Sequence, residues 1–136
     1  MKRIGKLVLT AAIVLIVVLG LGYAWGASGR SAMQSALDEA RQRLDIAEAR
    51  GEVLDARVSL YNMNFGDASR RFEEAKVPLR RIRQRLSDAG STDAVRSISA
   101  ALEHLEEAQR LSGKLDPAAN NKAGEALEAI KVATSR

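Results

Sequence analysis

Apolar residues recur at alternating steps of four and three along residues 33–65, at Met33, Leu37, Ala40, Leu44, Ala47, Gly51, Leu54, Val58, Tyr61 and Phe65. That period keeps one stripe on one face of an α-helix. Beyond Asn64-Phe65-Gly66-Asp67 the same spacing resumes at Ala68, Phe72, Ala75, Leu79, Ile82, Leu86 and Ala89. Two helical stripes across a short turn predict a helical hairpin. A narrow stripe is not stable alone in water, because most helix stability in proteins comes from covering an apolar face. The arms must zip together, coiled-coil fashion, or find other helices.

Two further helices are expected. Gly90 suits the left-handed residue that follows a helix, and Ser91-Thr92-Asp93 supplies capping side chains for the next. A third helix over about 93–112 carries Ala94, Ile98, Ala101, Leu105 and Ala108, widened by Val95, Leu102 and Leu111. Gly113 ends it, and Asp116-Pro117 opens a fourth over about 117–134 with Ala119, Ala123, Ala126 or Leu127, Ile130 and Ala133 inward. The fold class is all-α, two antiparallel hairpins in residues 31–136, with helices at about 31–63, 67–88, 93–112 and 117–134. The first helix is about 50 Å long and the second about 33 Å at about 1.5 Å per residue. The return helix therefore leaves Met33, Leu37 and Ala40 without cover, which makes them candidate partner contacts.

Upstream, residues 7–25 read LVLTAAIVLIVVLGLGYAW, without a charge. At about 1.5 Å per residue they make roughly 28 Å of helix, close to a hydrocarbon core of about 30 Å. Lys2, Arg3 and Lys6 form a basic stretch over residues 1–6, and only Arg30 follows closely. The positive-inside rule puts the N-terminus in the cytoplasm and the remainder across the membrane. Tyr23 and Trp25 then anchor at the far interface, and Gly20 with Ala24 and Gly22 with Gly26 form small-residue pairs that suit close packing of membrane helices. Ala24-Trp25-Gly26 also offers small residues where a signal peptidase reads, but the apolar run exceeds the usual core of such signals. The expectation is an uncleaved single-pass signal anchor in the cytoplasmic (inner) membrane of a bacterial cell. Residues 26–30 act as linker, and the C-terminal domain is periplasmic or extracellular.

The formal charge of +4 comes mostly from the N-terminal stretch: past Gly26, 18 of the 21 Lys and Arg face all 17 Asp and Glu. That balance argues against nucleic-acid binding. The densest cluster is LRRIRQRL, with Arg80, Arg81, Arg83 and Arg85 as candidate contacts for an acidic partner or anionic headgroups. The plainer reading is a solvated face paired with Glu73, Glu74 and with Glu103, Glu106 and Glu107 of the third helix. At the hairpin tip Tyr61 and Phe65 are expected in the core, leaving Asn62 and Asn64 to cap the turn.

Chemistry finds no foothold. Cysteine is absent, His104 is the one histidine, and no hydroxyl has a base beside it in sequence. No catalytic, cofactor-binding or metal-binding residue is assigned, no cofactor is implied, and the chain is expected not to be an enzyme.

Around the first turn the chain resembles one tetratricopeptide repeat. Ala56 takes the small position of the first helix, Phe65 the aromatic at the turn, and Ala68, Phe72 and Ala75, in ASRRFEEA, match the second-helix signature. Ser59 and Leu60 replace the usual tyrosine, and Pro78 falls two residues early. The resemblance covers about 30 residues and implies a protein-interaction scaffold, whereas a four-helix bundle is the simpler packing. The expected function is a membrane-anchored scaffold for protein–protein interaction or assembly at the outer membrane face. The alternative is an accessory single-span subunit of a larger integral membrane complex, energy-transducing, respiratory or photosynthetic for example. Partners are proteins, a second copy included as a homo-oligomer, and the lipid bilayer through residues 7–25.

Overall fold

A computed structural model describes residues 2–135, with the side chains of residues 13–19 and 32–135. All elements are helical: α1 (Lys2–Tyr61), α2 (Phe65–Asp88), α3 (Thr92–Gly113) and α4 (Ala119–Thr134), with no strand among the described residues. Residues 26–30, read as a linker, fall within the span of α1. The chain divides into two units, Met1–Ala40 and Arg41–Arg136.

In the first unit the described side chains of residues 13–19 are all apolar and exposed, as are Met33, Leu37 and Ala40. Among the described residues no helix is long and apolar enough to cross a membrane. The rest of the expected span, residues 7–12 and 20–25, lies outside the described side chains, and with it Gly20, Gly22, Tyr23, Ala24 and Trp25; Gly26 lies outside them too.

The second unit is a helical bundle with one core. From α2, Ala68, Phe72, Ala75, Leu79 and Ile82 are buried, with Leu86 at the edge; Ala89 is exposed. From α3 come Ile98, Ala101, Leu102, Leu105, Ala108 and Leu111, and from α4 Ala119, Ala123, Ala126 and Ile130. These are the stripes the spacing predicts.

The first helix departs from its expected face. The core takes Ala49, Val53, Ala56 and Leu60, with Ile46 packed against them. The longer stripe read from the sequence points away: Leu44, Ala47, Gly51, Leu54, Val58 and Tyr61 are all exposed, Leu44 at 67% and Tyr61 at 86%. Two lines of helical period run along α1, about half a turn apart, and the bundle buries the one with smaller side chains. Charge is one reason. Asp45, Glu48, Glu52 and Asp55 flank the Ala/Val line on the side toward α2, where they meet Arg71, Arg81 and Arg85.

Those pairs also set direction. As the α1 number rises from Asp45 through Glu52 to Ser59, its α2 partner falls from Arg81 and Arg85 through Arg71 to Asp67, so the two helices are antiparallel. Lys76 of α2 donates to Gln109 of α3 at 2.7 Å, and His104 of α3 lies 3.1 Å from Glu125 of α4. Arg57 Nε of α1 donates to Asn120 Oδ1 of α4 at 2.8 Å. A side chain of the first helix therefore reaches the start of the last.

The turns follow local chemistry. Asn64 accepts from the Asp67 N–H at 3.2 Å and caps α2, and Gly90 takes φ +71 after α2. Asp116 accepts from the Ala118 N–H at 2.9 Å just before α4.

Candidate interaction surface

Three groups of side chains were singled out from sequence, and the bundle treats them differently. The arginine cluster divides by helical position. Arg81 bridges Asp45 at 2.8 Å and Glu48 at 3.1 Å, and Arg85 also pairs with Asp45. Both clamp α2 onto α1 and are part of the scaffold itself. Arg80 lies 3.7 Å from Glu73 of its own helix and is half exposed, and Arg83 is exposed. The expected pairing with acids of α3 gives way to pairing with acids of α1: Glu107 is held by Arg110 within α3, at 2.5 Å. The cluster is thus no continuous cationic patch, because two of its four guanidiniums are spent on carboxylates of the neighbouring helix.

At the hairpin tip the same logic continues. Asp67 accepts from Ser59 Oγ at 2.6 Å, from Arg71 at 3.3 Å, and pairs with Arg70. The Ser59 hydroxyl first, then the two guanidiniums, hold its carboxyl at about 2, below the ordinary 3.8. A depressed carboxyl favours the folded state above its ordinary pKa, and that contribution is lost as protons bind in the folded protein. Asp67→Asn is therefore expected to lower Tm at neutral pH, and the gap between variant and wild type should close as pH falls from about 4 to about 2. A gap that stays constant across that window would remove the charge as the cause. Of the expected core aromatics at this tip, Phe65 is buried but Tyr61 projects into solvent. It continues the outward line of α1 where the sequence reading placed it inward.

His104 sits between α3 and α4 against Glu125, which Lys122 also holds at 2.7 Å. Among the described residues no group of three or more acidic or histidine side chains could hold a metal ion.

The third group is the outward face of α1. In the second unit it presents leucine, valine and tyrosine to solvent from Leu44 to Tyr61, backed by a bundle whose own core is already sealed. In the first unit Met33 and Leu37 are exposed at 69% and 51%. Scattered surface apolar residues are ordinary, whereas these share one face of the helix. Sequence reasoning found every residue of this line and put most of them inside. The missed signal was the acid track beside the other face, which needs the arginines of α2 in order to be covered. No family model, curated protein or solved structure matches the chain.

Proposed function

We propose that the chain is a membrane-anchored, non-catalytic helical scaffold that assembles proteins at the outer face of the cytoplasmic membrane. Residues 7–25 are the span, the basic N-terminus stays inside, and the bundle stands in the periplasm or outside the cell. The observation that carries this reading is the exposed apolar face of α1, Leu44 to Tyr61, on a bundle that does not need it for its own core. Hydrophobic surface kept in water without a folding role is surface kept for a partner. The uncharged run and the Lys2, Arg3 and Lys6 that precede it support the anchor and its orientation.

A second reading is favoured by one observation: residues 13–19 carry exposed apolar side chains without interruption. An accessory subunit of a larger integral complex would use that segment as its main contact. The two readings separate in one experiment. Full-length protein is purified in mild detergent and its companions are scored, with residues 7–25 replaced by an unrelated span or with Leu44→Glu and Val58→Glu introduced together. A scaffold keeps its companions through the span exchange and loses them with the paired glutamates. An accessory subunit shows the reverse, and a chain without companions in any form would count against both.

A further inference from the structure

We propose that the outward face of α1 docks a second copy of the chain, as a parallel, in-register, two-stranded coiled coil. The proposal deepens the scaffold reading, on which it rests, by naming the partner.

The face has the repeat such a coil requires. Leu44, Ala47, Gly51, Leu54, Val58 and Tyr61 are spaced three and four apart without a slip, all exposed, and the buried Ala49, Val53, Ala56 and Leu60 lie on the opposite side of the helix. The sequence carries the same spacing upstream at Met33, Leu37 and Ala40. Ala47 and Gly51 stand at its middle, and a Cβ built on Gly51 meets nothing within 4 Å. Two backbones can therefore approach closely there.

Charge selects both the occupant and its direction. On one flank of the seam stand Arg43, Arg50 and Arg57, the last held by Asn120, and on the other Arg41, Glu48 and Asp55. In a parallel pair each residue of the first flank faces the second-flank residue five positions later in the partner helix. Arg43 then meets the second copy's Glu48 and Arg50 the second copy's Asp55, twice over by the two-fold axis. An antiparallel pair would set the arginine flanks against each other and the order would repel. Glu48 and Asp55 already hold Arg81 at 3.1 Å and Arg71 at 3.3 Å within the chain, yet their side chains are half exposed or more, so a second guanidinium can reach them.

The chain has no cysteine, so single cysteines report proximity cleanly. Full-length protein in mild detergent is oxidised as Leu44→Cys, as Val58→Cys and as Glu106→Cys, an exposed control on α3. Parallel, in-register pairing predicts that the first two each cross-link to themselves at least tenfold faster than the control. Arg50→Asp in the Val58→Cys background should slow that reaction tenfold or more, and adding Asp55→Arg should restore it. Pairing through the span alone would not respond to these reversals, and an unchanged rate overturns the proposal. So does cross-linking seen only when the Leu44→Cys and Val58→Cys proteins are mixed, which would mean an antiparallel pair. Leu54→Glu, checked for intact helicity, is the second variant should the double reversal fail to fold, and it too must abolish the cross-link. A chain that stays monomeric yet loses other companions on Leu44→Glu would overturn the second copy as partner and leave the scaffold reading standing.

Discussion

Replacing Phe72 with alanine is expected to cost about 3–5 kcal/mol of folding stability. Phe72 lies in α2, is fully buried, and is one of the two phenylalanines in the chain. The cost of a large-to-small change depends on how far the surroundings collapse into the space left behind. Here they have little to collapse with. The core is rich in alanine, with Ala49 and Ala56 from α1, Ala68 and Ala75 from α2, Ala101 and Ala108 from α3, and Ala119, Ala123 and Ala126 from α4. An alanine has no rotamer to swing into a void, so the helices themselves would have to move. The effect should fall in the upper part of the range and lower Tm by roughly 12 °C or more in a domain of this size. Tyr61→Ala, measured where the chain is monomeric, is the matched control and should stay within about 0.5 kcal/mol. Equal losses for the two would mean that the aromatic at the tip of α1 belongs to the core as well as the one in α2.

That contrast shows where the sequence was legible. In α2, α3 and α4 a single apolar line runs along each helix, the opposite face is polar, and spacing alone identifies the buried residues, down to the alanines of α4. In α1 two lines compete. Leu44, Leu54, Val58 and Tyr61 are larger than Ala49, Val53 and Ala56, and residue-by-residue hydrophobicity prefers the larger set. Helix packing decided otherwise, because α2 already brings Phe72, Leu79 and Ile82, and a bundle fills at fixed density. Large residues on one helix call for small ones opposite. The arginines on α2 then fix the rotation of α1, since Asp45, Glu48, Glu52 and Asp55 stand between its two apolar lines, on the flank that meets α2 when the Ala/Val line faces the core. A long-range charge match of this kind is invisible to a periodicity read one helix at a time. The exposed line of α1 was therefore legible as a set of residues and illegible as a surface.

Removing the carboxylate of Asp45 is expected to cost about 1–3 kcal/mol, and removing that of Glu48, one turn away, about 0.5 kcal/mol or less. The two acids look equivalent in sequence and both pair with Arg81. Their surroundings differ. Asp45 is 7% exposed and is shared by Arg81, at 2.8 Å, and Arg85, whose Nε is buried without a hydrogen-bond partner. In Asp45→Ala the Arg85 guanidinium keeps its place against the helix and loses the anion that compensates for it, so the desolvation already incurred is no longer offset. The half-exposed head of Arg81 can turn to water, which holds the cost below that of a fully buried pair. Glu48 is half exposed, and in Glu48→Ala Arg81 retains Asp45. Chemical denaturation of both variants measures the difference, and Asp45→Ala combined with Arg85→Leu should recover part of the loss, since the orphaned charge goes with it. If the double variant is as unstable as the sum of its parts, the clamp between α1 and α2 is packing and not charge, and the acid track loses its claim to set the rotation of α1.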